Sequence, residues 1–236
     1  KENRLLTLYA NYNKLVESIK SSFDVTAGYD YQYWKSTTPL YSEMNTLGEI
    51  QKTSKASDER HVLLSYYGRL NYSFNSRYML TTTVRRDATS RFAKNVRWGT
   101  FPSVALGWRV TEESFLKDNK VISTLKVRAS YGVTGQQDGI GNYNYLPIYT
   151  ISQSGAGSLI GGTPTPTYRP KAYVPNLKWE TTTSWNVGFD FGFLKDRITG
   201  SFDYYTRQTK DLIATVPAAA GTTCLLYTSP SPRDRG

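Results

Sequence analysis

Between residues 179 and 209 the chain alternates apolar and polar side chains through two long runs joined by a tight turn. Trp179, Thr181, Thr183, Trp185, Val187, Phe189, Phe191 and Phe193 fall on one side of an extended backbone. Glu180, Thr182, Ser184, Asn186, Gly188, Asp190 and Gly192 fall on the other. After Lys195 and Asp196 the pattern resumes: Ile198, Gly200, Phe202 and Tyr204 take the apolar side, and Arg197, Thr199, Ser201, Asp203 and Arg207 the polar side. Strands in soluble proteins usually run to about 5 or 6 residues. These runs are far longer and suit a tilted crossing of a bilayer. The pattern therefore predicts an all-β chain, an antiparallel transmembrane β-barrel.

The same period of two recurs over residues 4–13, 21–34, 60–74, 77–87, 96–110, 123–134, 179–193 and 197–209, which predicts eight strands. In the second run, Phe23, Val25, Ala27, Tyr29, Tyr31 and Tyr33 oppose Asp24, Thr26, Asp30 and Gln32. In the third, Val62, Leu64, Tyr66, Leu70, Tyr72 and Phe74 oppose His61, Ser65, Arg69, Asn71 and Ser73. In the sixth, Leu125, Val127, Ala129, Tyr131 and Val133 oppose Lys126, Arg128 and Ser130. Connections alternate in length. Residues 14–20, 75–76, 111–122 and 195–196 are short links, and 35–59, 88–95 and 135–178 are longer ones. Outer-membrane barrels sort their connections this way, with tight turns in the periplasm and long loops outside. A soluble β-sandwich has no reason to do so.

The fifth run supplies a ruler. Trp98 and Trp108 share its apolar side, with Val104 and Leu106 between them. Their separation is ~33 Å along a strand and ~24 Å after a tilt of about 45°, which matches an apolar band edged by aromatic girdles. Trp98, Trp108 and Trp185 are the predicted lipid-facing girdle residues. Pro102 on the same side predicts a bulge or a missing ladder bond. Residues 111–119 read as a helical turn with Thr111 as N-cap, and 135–178 as a Gly- and Pro-rich external loop.

The chain has 236 residues and a formal charge of +10. Its Lys and Arg residues are scattered among wall and loop positions rather than gathered in one stripe, so no nucleic-acid partner is predicted. The same charge suits anionic lipopolysaccharide head groups or solutes. No run approaches the ~18 apolar residues of a transmembrane helix. Lys1 to Tyr12 reads as a strand and not as a signal peptide, from which truncation is expected. The single Cys224 excludes an internal disulfide. It opens a Ser-, Pro- and Arg-rich tail, so the expected organisation is a barrel portion over 1–215, the start of a loop over 216–223 and a non-native tail over 224–236.

No catalytic constellation emerges, and neither an enzyme activity nor a cofactor is predicted. His61 is the sole histidine and sits on a polar phase at a strand start. GAGSLIGG, residues 155–162, lacks the Lys-Ser/Thr ending and the following helix of a phosphate loop. Zinc-like ligand spacing does not occur. Glu180 and Asp190 lie too far apart along one strand for a glycosidase pair and are read as wall charges paired with Arg197 or Arg207. Arg85, Arg86, Asp87, Arg91, Lys94 and Arg97 are read as one loop cluster, in which Arg85, Asp87 and Arg91 are candidate solute contacts. Tyr143, Tyr145 and Tyr149 are candidate platforms for sugar rings, since a Tyr face offers apolar area with a hydroxyl at its edge. Internal salt bridging and loop packing are the plainer readings of both groups.

RYMLTTTVRRDATSRFAKNVRWGTFPSVALGWRVTEESFL (77–116), LKVRASYGVTGQQDGIGNY (125–143) and NLKWETTTSWNVGFDFGFLKDRITGSFDYYTRQTKDLI (176–213) resemble the barrel of SusC/RagA-type TonB-dependent outer-membrane transporters of Bacteroidetes-like bacteria. The resemblance covers roughly residues 1–215. It implies a barrel of about 22 strands with a plugged lumen, located in the outer membrane of a Gram-negative cell. It also implies coupling to the TonB complex through a plug absent from this chain, a SusD-type surface lipoprotein as partner, and import of a large nutrient such as an oligosaccharide or peptide. The chain is then expected to be an internal slice of barrel wall with two open strand edges. Two alternatives are a stand-alone eight-stranded barrel with a structural or adhesion role, and a secreted carbohydrate-binding β-sandwich.

Overall fold

The computed structural model describes residues 1–116, 119, 121–151, 157–170 and 173–213. Eight long strands carry the architecture: β1 (Glu2–Val16), β2 (Ser21–Thr38), β5 (Ser57–Phe74), β6 (Tyr78–Thr89), β7 (Trp98–Arg109), β8 (Ile122–Gln136), β13 (Glu180–Phe193) and β14 (Ile198–Lys210). Among the described residues six short strands decorate their connections: β3 (Tyr41–Met44), β4 (Ile50–Ser54), β9 (Tyr149–Ile151), β10 (Gly157–Ile160), β11 (Thr163–Pro166) and β12 (Tyr168–Pro170). The long strands form one antiparallel sheet in the order β1-β2-β5-β6-β7-β8-β13-β14. The eight predicted strands are all present. They do not form two packed sheets, as a sandwich would, and β1 and β14 lie at opposite ends instead of closing an eight-stranded barrel.

One rim carries the short connections. Asn75 and Ser76 join β5 to β6 with φ of 50° and 54°, the left-handed backbone of a hairpin turn that matches strand twist. Leu194, Lys195 and Asp196 are also left-handed, so this turn is longer than the pair of residues expected. Non-glycine residues resist that conformation. It is held because the Lys195 N–H donates to Ser123 Oγ at 2.6 Å and the Leu194 N–H to the Val121 carbonyl at 2.9 Å. Between β7 and β8 the chain makes a 3-10 turn over Val110–Glu112, preceded by Arg109 with no side-chain cap. Thr111 is therefore not an N-cap. The opposite rim carries the long connections, with the β3–β4, β9–β12 and β10–β11 hairpins.

Cross-strand register fixes the faces. Tyr29 pairs with Tyr66, Tyr78 with Trp108, Tyr131 with Trp185, and Phe189 with Phe202, so one face is a field of aromatic and aliphatic side chains. Tyr66, Trp98, Trp108, Trp185 and Phe189 on that face are 37–56% exposed. The other face carries the charged and hydroxylic side chains.

Pro102 acts as a ladder terminator. β7 pairs with β8 only from Ser103 to Arg109, because proline has no N–H to continue the pairing. The strands part beyond it, and Phe101 enters the gap from the polar face. A Cβ at Gly135 would land on the Phe101 ring. Phe101 is buried with Phe92, Ile140, Leu177 and Trp179 in a small apolar core below the long-loop rim. This corrects the placement of Trp179. It precedes β13, leaves the apolar alternation, meets Phe92 and Phe101 edge-on, and donates its indole N–H to the Arg97 carbonyl at 2.9 Å.

Candidate solute-binding mouth

The polar face near the long-loop rim holds two features. The first is a bracket in the wall. Arg85 donates from Nε to both Asp87 oxygens at 2.9 and 3.1 Å, and from Nη2 to Ser65 Oγ at 2.9 Å. It lies 3.6 Å from Asp30 and 5.8 Å over the Tyr67 ring. Tyr67 can lie flat across β2 because its cross-strand neighbour is Gly28, which has no side chain to obstruct it. Ser65 and Asp87 are buried. Arg85, Arg86 and Asp87 thus belong to β6 and not to a loop, and they divide between the faces. Arg86 is exposed on the apolar side, 5.0 Å over Trp98.

The second feature is a cavity of about 550 Å3 bordered by Lys1, Asn3, Trp34, Lys35, Ser36, Glu59, His61, Arg91, Gln137, Asp138 and Asn142. Trp34 and His61 face each other across β2 and β5, with rings 4.1 Å apart and 3° from parallel. Arg91 donates to Asn142 Oδ1 and to the Gln137 carbonyl, both at 3.2 Å, and Asn142 donates to Glu59 at 3.1 Å. A chain of planar polar groups therefore lines a wall beside an aromatic pair. Gln137 Oε1 is buried without a hydrogen-bond partner.

His61 lies beyond the band marked by Trp98. Ala88, the partner of Trp98, pairs with Leu64, and His61 is further toward the long-loop rim. The imidazole pKa is held down at about 4, chiefly by burial and also by Arg91, with Asp138 opposing the shift. The ring is neutral at neutral pH and presents a π face and one N–H.

The structure distributes the predicted site residues unevenly. Arg91 borders the cavity. Tyr143 lies nearby, its hydroxyl accepting the Arg60 N–H at 3.3 Å. Tyr145 is half-buried, and Tyr149 is exposed on the β9–β12 hairpin. Lys94 and Arg97 do not line the cavity, and Arg97 Nε is buried without a partner. Trp34 was missed by sequence reasoning, although it left a signal: it is an aromatic residue on the polar phase of its strand. Asp190 pairs with Arg128 at 2.9 Å and not with Arg197 or Arg207. Among the described residues no cluster of His, Cys, Asp and Glu is arranged to hold a metal ion.

A family model described as TonB dependent receptor-like, beta-barrel matches residues 2–233. The chain belongs to this family. It is 45% identical over 227 residues to the TonB-dependent receptor SusC of Bacteroides thetaiotaomicron, covering 90% of this chain and 22% of that protein. It is 39% identical over 226 residues to the TonB-dependent receptor P3 of Formosa agariphila, covering 89% and 22%. The chain thus spans about a fifth of the length of these relatives. Among solved structures it superposes on the RagAB peptide transporter with a TM-score of 0.74 at 23% identity, over 92% of this chain and 24% of that one. The siderophore receptor PirA from Pseudomonas aeruginosa gives 0.57 at 15% identity, over 95% and 36%. These likenesses show the fold: the open eight-stranded sheet is part of the wall of a larger TonB-dependent receptor barrel.

Proposed function

We propose that this chain forms wall and mouth of an outer-membrane importer of a large solute, an oligosaccharide or a peptide, in a Gram-negative bacterium. Import is energised by TonB through a plug in the lumen, and a SusD-type lipoprotein covers the mouth. The observation that carries this reading is the cavity at Trp34, His61 and Arg91, which opens on the polar face at the rim with the long loops. An aromatic face gives a solute apolar contact, and the amides and charges beside it supply a few directed hydrogen bonds. Asn3, Gln137 and Asn142 suit the hydroxyls of a sugar or the amides of a peptide equally. The wall carries no reaction: solute binds, and plug movement opens the path.

Uptake of labelled oligosaccharides and peptides by cells making the full-length transporter tests this reading. Trp34→Ala and Arg91→Ala should each depress uptake of one of these solute classes while the barrel still assembles and reaches the outer membrane. Unchanged uptake of every transported solute in both variants would remove the cavity from the pathway. Deleting residues 155–166 from the long loop should likewise impair uptake and leave the barrel folded.

A further inference from the structure

Arg86 is a cation of this sheet whose placement on the aromatic face the transport reading leaves unused. It lies on the aromatic face, which in the barrel looks outward. Its backbone is level with Thr100, but its guanidinium sits 5.0 Å over the ring of Trp98, two residues nearer the long-loop rim. The long side chain therefore climbs from the apolar band toward the aqueous edge, as arginines do at membrane interfaces. Tyr66, its cross-strand partner, lies beside the same ring, with centroids 6.2 Å apart.

Several other arginines of the sheet are ion-paired. Arg85 has Asp87 and Asp30, Arg128 has Asp190 and Asp203, and Arg4, also on the outer face, has Glu2. The ion pairs of the described residues include none to Arg86, since its neighbour Asp87 points to the opposite face and is held by Arg85. Below the guanidinium runs an apolar column, with Val84 49% exposed and Leu106 57% exposed. A cation held at an aromatic girdle above an apolar surface matches an amphiphile with an anionic head and acyl tails.

We propose that Arg86, Trp98 and Tyr66 form a binding site for the phosphate of an outer-leaflet lipid, with the acyl chains lying along Val84 and Leu106. The proposal rests on the aromatic face meeting lipid, and its test separates the two. Native mass spectrometry of the full-length transporter in micelles would compare lipid A carrying its phosphates, the same lipid A dephosphorylated enzymatically, and inorganic phosphate as competitor. Retention of phosphorylated lipid A should exceed that of the dephosphorylated form by roughly fivefold or more. It should fall similarly in Arg86→Gln, recover in part in Arg86→Lys, and be indifferent to inorganic phosphate. Equal retention of the two lipids by the unaltered protein would overturn the proposal, and this arm decides even if a variant does not fold. Displacement by inorganic phosphate would also overturn it, reducing the site to a surface anion site. Tryptophan quenching by brominated phospholipids reports on the face itself. Quenching without phosphate dependence would sink the lipid site and leave the barrel standing, whereas absence of quenching would remove both.

Discussion

Arg128 on β8 and Asp203 on β14 lie two strands apart, yet their side chains meet at 3.1 Å across β13. The residue between them in register is Gly188, which pairs with Arg128 on one side and Asp203 on the other. Its missing side chain is the opening through which they reach each other, since a Cβ there would meet the Asp203 carboxylate. Arg128 also takes Asp190 at 2.9 Å, so one guanidinium ties three strands on the polar face.

Gly188→Leu should therefore destabilise the barrel more than Asp203→Asn. The asparagine variant loses only a half-exposed ion pair, worth up to about 1 kcal/mol. The leucine variant must also displace the side chains of neighbouring strands. Urea unfolding of the refolded full-length barrel in lipid vesicles measures both, and equal losses would count against the packing argument.

Glu113 gathers the girdle at the short-turn rim. It accepts the Tyr78 hydroxyl at 2.6 Å, the Trp108 indole N–H at 3.1 Å and the Arg77 guanidinium at 3.2 Å. The hydrogen bond from Tyr78 is the largest influence holding its pKa below the usual carboxylate value, followed by that from Trp108. A folded-state pKa below the unfolded one gives stability that is present above the unfolded value and is lost as pH falls through the folded value. Acidification through the carboxylate range should weaken the barrel, and Glu113→Gln should blunt that dependence. An unaltered pH profile in the variant would show that Glu113 does not hold the girdle.

Val104 and Val187 lie on the apolar phase near the middle of their strands, and Ser130 and Ser184 lie on the polar phase. Replacing either valine by Arg should lower stability by ~2 to 4 kcal/mol, the penalty for a charge near the bilayer midplane. Arg at either serine should matter much less. Equal effects on the two faces in a vesicle refolding assay would mean that the faces are wrongly assigned.

The strands and their faces were legible because period two is a local signal: Trp98, Trp108 and Trp185 stand where alternation places them. The inner core at the mouth was not. Phe92, Ile140 and Leu177 come from connections without periodicity, and only tertiary packing brings them together with Phe101 and Trp179. Trp179 misled because it sits one residue before β13 and continues the alternation on paper, while its ring packs on Phe92 and Phe101. The partner of Asp190 was equally hidden. Arg128 lies 62 positions earlier, and the register that opposes them follows from strand order. Of the cavity, Arg91 was singled out, but Trp34 and His61 became a pair only when β2 met β5.

Phe101→Ala should cost about 3 kcal/mol, in the range for emptying a buried aromatic site. It should also loosen the loops packed on that core, so limited proteolysis of the folded variant should cut within residues 90–97 or 173–179 faster than in the unaltered barrel. Unchanged cleavage there would show that Phe101 does not anchor the mouth.

The proposed function requires that the two rims of this sheet face opposite sides of an outer membrane, with the long loops outside. Single cysteines at Leu47, in the β3–β4 hairpin, and at Ser76, in the β5–β6 turn, can be placed in the full-length protein freed of other cysteines. Intact cells are then treated with a membrane-impermeant maleimide. Labelling at 47 and protection at 76 until the outer membrane is permeabilised is the expected result. Labelling at 76 in intact cells, with 47 protected, would invert the wall and place the long loops in the periplasm.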